Sequence, residues 1–145
     1  MAVVKFYDAV VTIDGTGGPP PVGGTPLPHV RSVTIDYNAE MLDISEMGSG
    51  GTRINMAGLM TWTITVSLLQ DYAAANVDAL LFPKIGAVSF FIQVKPTSAA
   101  VSATNPQFYG LTVLETYQPI TGDVGTAQEV SATFQNAGAL TRSIT

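Results

Sequence analysis

The sequence predicts a mainly β fold, an antiparallel β-sandwich or partly open barrel of about seven strands with one flanking α-helix. Apolar residues alternate with polar ones along several separate stretches, and clusters of Gly and Pro punctuate them. Only one short segment, directly after Leu68, changes from a period of two to helical spacing. At 145 residues the chain is read as a single domain, 1–145, and with no cysteine it has no disulfide, thiolate nucleophile or Cys-based metal site.

Each element has its own warrant. Val3 to Ile13 is rich in β-branched and aromatic residues and reads as a first strand. It ends in DGTGGPPPVGGTPLPH, a Pro/Gly-rich loop over 15–29 whose composition disfavours helix and ladder alike. Val33, Ile35, Tyr37 and Ala39 then alternate with Ser32, Thr34, Asp36, Asn38 and Glu40, giving a strand with a dry face and an acidic polar face. LDISEMGSGGTRINMAGLM, with glycines at 48, 50 and 51, reads as a long Gly-rich hairpin loop of about 41–58 with a flexible tip. Trp62, Ile64, Val66 and Leu68 against Thr61, Thr63, Thr65 and Ser67 form the clearest strand of the chain.

Asp71 follows as the expected cap of a helix over about 71–82, with Ala73, Val77, Leu80 and Leu81 on one stripe and Pro83 and Gly86 as the stop. Val88, Phe90, Ile92 and Val94 resume the alternation. Leu111–Tyr117, Glu129–Gln135 and Leu140–Ile144 complete the predicted strands. Core packing accounts for Trp62 and Phe90, whereas Phe91 points the other way and is the candidate for a subunit contact.

Charge narrows the function. The balance is −5 and only 12% of residues are charged, little for a surface that is wet all round, so much of it is expected to meet other protein. The bases Lys5, Arg31, Arg53, Lys84, Lys95 and Arg142 are scattered and form no stripe for phosphates. MAVVKFYDAVV lacks the plan of a secretory signal, and no window approaches the roughly 18 apolar residues of a membrane helix. The expectation is a soluble intracellular chain with no membrane partner.

No catalytic site, metal site or cofactor is expected. His29 is the only histidine and has no second ligand or nucleophile elbow near it in sequence. GTGG at 15–18 runs into Pro19–Pro21 instead of opening a helix, so a dinucleotide site fails on context. GSGGTR at 48–53 lacks the residues of a phosphate loop, and the carboxylates are spread singly. An enzyme is therefore not expected.

The stretches VRSVTIDYNAEMLDISEMGSGGTRINMAGLMTWTITVSLLQDY, AAANVDALLFPKIGAVSFFIQVKP, TNPQFYG and VSATFQNAGALTRSIT, together about residues 30–145, resemble the tail tube (major tail) proteins of long-tailed bacteriophages. The resemblance implies hexameric rings that stack into a tube conducting genomic DNA to the host, each subunit adding strands to a shared inner β-barrel. It implies a virion tail component made in the host cytoplasm, with itself, a tape-measure protein and tail terminator or baseplate proteins as partners. Gly48, Ser49, Gly50, Gly51, Thr52 and Arg53 would then reach toward the neighbouring ring. DNA passes such a tube without specific binding, and Asp36, Glu40, Glu115 and Glu129 are the expected lumen-facing carboxylates, repelling phosphate. The alternatives are a capsid decoration or head-tail completion protein, and a small-ligand-binding β-barrel.

Overall fold

Alternation at period two is converted into one antiparallel sheet. A computed structural model of the chain describes residues 3, 7–17 and 20–145. Among these, seven strands are β1 (Val10–Gly15), β2 (Thr25–Pro26), β3 (Val30–Asp43), β4 (Asn55–Leu69), β5 (Phe90–Lys95), β6 (Gln107–Tyr117) and β7 (Glu129–Ser143). Their order is β2-β1-β5-β6-β7-β4-β3. β1 and β3, near opposite ends of that order, approach one another, so the sheet curls toward a barrel without closing. The expected partly open β architecture with one helix is present.

The alternation fills the inside of the curl. Val11, Ile13, Ile64, Val66, Leu68, Ile92, Val130, Ala132 and Phe134 are buried, and Phe90 meets Phe134 edge to face with ring centroids 6.1 Å apart. Val88, expected to continue the Phe90 stripe, lies before β5 and is exposed. The first predicted strand is present from Val10, and its residues 4–6 lie outside the described residues.

Three expectations need correction. The Pro/Gly-rich loop contributes a strand: Thr25 pairs with Ile13, Pro26 with Thr12, and Leu27 donates its N–H to the Val11 carbonyl at 2.8 Å. Proline is tolerated because β2 is an outer edge. Close approach requires Gly24, where a Cβ would sit 2.6 Å from the Ile13 carbonyl oxygen. Secondly, Glu129–Gln135 and Leu140–Ile144 are not separate strands. Ala137, Gly138 and Ala139 form a bulge between the pairs Thr112–Asn136 and Gly110–Leu140, and β7 runs on through it.

The third correction is the helix. It spans Val77–Leu81, not 71–82, and Asn76 occupies the N-cap position. Asp71 does not cap it: its Oδ1 accepts the Ala73 N–H at 2.9 Å, an Asx turn, and Ala75 takes a left-handed φ of 62°. Those two features break the Ala-rich run that composition favours as helix. Val77 and Leu81 are fully buried against the sheet, while Ala73, placed on the stripe by spacing, is exposed. Pro83 tightens the exit into a 3-10 turn, Phe82–Lys84, and Ile85 then bridges Leu114 of β6.

Candidate assembly surfaces

The hairpin between β3 and β4 is longer and more regular than its glycines suggest. Residues that read as loop at 41–43 and 55–57 are laddered, Met41 with Ala57, Leu42 with Met56 and Asp43 with Asn55, leaving the tip at 44–54. At the tip Ile44 N–H donates to the Ile54 carbonyl at 2.9 Å, Ile54 N–H to Ser45 Oγ at 2.7 Å, and Arg53 pairs with Asp43 at 3.5 Å. Gly50 and Gly51 take φ of 66° and 78°, which is why glycine stands there. The expected inter-ring residues Gly48, Ser49, Gly50, Gly51, Thr52 and Arg53 all sit on this tip.

β4 pairs with β7 only from Thr63 to Leu69, whereas it pairs with β3 down to Asn55. Asn38–Asp43 and Asn55–Thr61, with the tip 44–54 that joins them, therefore form a two-stranded arm projecting past the sheet. Large apolar side chains are exposed along it: Met41, Leu42, Ile44, Met47, Ile54, Met56, Leu59 and Met60 are all open. Four of the chain's five methionines lie there. Sequence reasoning missed this patch; the signal was INMAGLM, apolar at both parities, which one half-buried strand face cannot accommodate. The outer edge of β3 also has no strand partner among the described residues.

The outside of the curl forms a second surface. Ser32 pairs with Ser67 and Ser67 with Ser131; Thr34 pairs with Thr65, Thr65 with Thr133 and Thr133 with Thr116. This grid of hydroxyls crosses β3, β4, β7 and β6. Asp36 stands opposite Thr63, whose hydroxyl donates to Gln135, and Gln135 Nε2 donates to Glu115 at 2.7 Å. Glu129 accepts from the Ser67 hydroxyl and pairs with Arg31 at 3.5 Å. Asp36, Glu115 and Glu129 thus share one exposed face, on which Arg31 pairs with Glu129, while Glu40 lies farther out, on the arm. Phe91 lies on the outside too, half-buried beside Leu111, next to an edge cleft lined by Gly15, Thr16 and Ser89.

At the far end from the arm, Tyr117 Oη donates to Asp78 Oδ1 at 3.0 Å and accepts from Gln70 Nε2 at 2.9 Å. Burial and then the Asp78 carboxylate, against the Gln70 hydrogen bond, push the phenol up to about 12. Gln70 and Tyr72 both donate to the Pro119 carbonyl at 2.6 Å. An open apolar cleft of about 500 Å3 lies against this network, lined by Phe82, Ile85, Glu115, Thr116, Tyr117 and Pro119.

Asp71 acquires a partner that its sequence position does not announce, His29 Nε2 at 3.2 Å. The hydrogen bond from Ala73, opposed by burial and aided by His29 and Asn76, holds the Asp71 carboxyl below its ordinary value. Among the described residues no hydroxyl bonds the imidazole. No cluster of three or more metal-ligating side chains forms among the described residues, and none of their helices is long and apolar enough to cross a membrane.

Neither a protein-family model nor a curated protein matches the sequence. Solved structures do match in fold. A chain from the tail of an empty gene transfer agent particle, refined helically with C6 symmetry, aligns with a TM-score of 0.71 at 19% identity, covering 94% of this chain and 96% of that one. The SPP1 tail tube aligns at 0.73 with 10% identity, covering 99% and 80%. A chain of the sheath-tube complex of an extracellular contractile injection system aligns at 0.61 with 12% identity, covering 99% and 93%. At these identities the likeness is one of fold: the chain has the fold found in the tubes of phage-like tails.

Proposed function

We propose that this chain is a structural subunit of a virion tail tube, assembling as hexameric rings that stack and conduct DNA. The observation that carries the reading is the apolar arm, which exposes a run of large side chains that a lone monomer leaves in water. The tail-tube fold and the C6 symmetry of one structural neighbour support it. The unpaired edge of β3 supports sheet continuation between subunits. In this reading Gly48–Arg53 contacts the next ring, Phe91 contacts a neighbouring subunit, and a tape-measure protein, tail terminator and baseplate are further partners.

The hydroxyl grid with Asp36, Glu115 and Glu129 is the proposed lumen lining, and Glu40 extends that acid toward the next ring. Neutral hydroxyls and carboxylates give phosphate nothing to hold, so DNA slides. The role is structural and not enzymatic. The inside of the curl is filled by side chains such as Ile64, Leu68 and Phe134, which disfavours a small-ligand barrel.

Negative-stain images of purified protein test the proposal. Rings and long tubes are expected; discrete trimers or monomers would point instead to a capsid decoration or head-tail completion protein. Deleting Gly48–Thr52 should preserve the β circular dichroism and abolish stacking, and normal tubes from that variant would remove the tip from the interface.

A further inference from the structure

Met41, Met47, Met56 and Met60 are 61%, 106%, 50% and 63% exposed, and every one is on the arm. β4 carries the arm at its start and the helix at its end, so the Phe82/Ile85/Tyr117/Pro119 cleft lies roughly 30–45 Å away along fifteen residues of strand. Two apolar surfaces at opposite ends of one molecule suit a head-to-tail contact, which repeats without closing on itself. Their chemistry is complementary. Thioethers adapt to irregular apolar clefts and favour aromatic edges, and the cleft presents Phe82, 63% exposed, beside Tyr117.

We infer that the arm methionines are a peroxide-sensitive modification site that governs docking of the arm into this cleft of a second copy of the chain. The inference rests on the tube-subunit reading. Hydrogen peroxide delivers one oxygen to each thioether: an S–O bond forms, the O–O bond breaks, sulfur loses two electrons and the peroxide leaves as water. The sulfoxide is polar and chiral, and burying it in an apolar cleft without a partner is unfavourable. Free subunits therefore lose competence on oxidation, whereas assembled ones shield the same sulfurs.

The test compares polymer pelleted from four samples of full-length chain: untreated, treated with hydrogen peroxide as free subunit, treated after assembly, and a variant carrying Met41→Leu, Met47→Leu, Met56→Leu and Met60→Leu. Leucine conserves volume and cannot be oxidised, so the variant should assemble with or without peroxide. Treated free wild-type subunit should yield about tenfold less polymer, and intact-mass analysis should show fewer added oxygens when treatment follows assembly. Phe82→Ala, at an exposed position, should weaken assembly with unchanged circular dichroism. Equal polymer from treated and untreated wild type, or equal inhibition of the leucine variant, overturns the modification site alone. Normal assembly by Phe82→Ala overturns the cleft as receiver. Failure of the untreated chain to associate at all overturns the tube reading, and this inference with it.

Discussion

The indole of Trp62 occupies the space a side chain at Gly110 would need: a Cβ there would lie 2.6 Å from Trp62 Cζ2 and 2.8 Å from the Ala139 carbonyl oxygen. The same ring donates Nε1–H to the Gly138 carbonyl at 2.8 Å, spanning the gap where β4 and β7 part company. Gly110→Ala should therefore cost about 1–3 kcal/mol through overpacking. Trp62→Phe should cost a similar amount, about 1–3 kcal/mol, through the lost bond and volume. Urea titration checks all three, and Gly48→Ala, whose Cβ would meet only Glu46 Oε1 at 4.0 Å, should be near neutral in it.

Lys84 Nζ reaches Asp14 Oδ1 at 2.6 Å and stands 5.0 Å from the centroid of the Phe90 ring. Lys84→Met keeps the stem and removes the charge. A loss of about 0.5–1.5 kcal/mol is expected, shrinking in high salt for the ion-pair share. A salt-independent difference in melting temperature would assign the effect to the ring alone.

Tyr117 should ionise late. Its folded pKa, about 12, is above the ordinary value of 10.0, so the native state keeps a proton that the unfolded chain releases. Stability from this group is complete below pH 10 and is lost as pH rises from 10 toward 12. Phenolate absorbance should show a step near pH 12, and Tyr117→Phe should abolish it; an absorbance titration that Tyr117→Phe leaves unchanged there would contradict the network.

Acid should act on the Asp71 turn in the opposite sense. Its folded pKa lies below the ordinary 3.8, so its contribution is present above pH 3.8 and disappears as pH falls through the depressed value. The protection of the Ala73 amide against exchange, relative to an unstructured amide at the same pH, should fall in that window, and Asp71→Asn should flatten the response. A protection that stays constant across that window would detach the carboxylate from the turn.

The strand alternation was legible because Trp62, Ile64, Val66 and Leu68 obey one period over a single buried face, and register then follows from which face is dry. The helix boundary was not legible. Asp71 precedes an Ala-rich run as a cap would, but its carboxylate is taken by Ala73, Asn76 and His29, and the last of these lies 42 residues away. The strand inside the Pro/Gly segment was hidden for a related reason: an edge forgives a missing N–H that a central ladder would not. The carboxylates Asp36, Glu115 and Glu129 were placed on the polar side by parity alone, yet parity is silent about the Ser and Thr rows that surround them, since rows are a property of register between distant strands.

Among the described residues the arm, before Thr63 in β4, has neither a third strand nor a second layer, and a two-stranded ribbon is marginal in water without one or the other. In the proposed assembly its stability would come largely from the surface it docks against. If the chain assembles as proposed, growth is expected to be nucleated: the first contacts must order the ribbon, later arrivals meet a surface already formed, and elongation outpaces initiation. A lag that shortens steeply with protein concentration, and vanishes when preformed ends are added, is the kinetic form of that geometry.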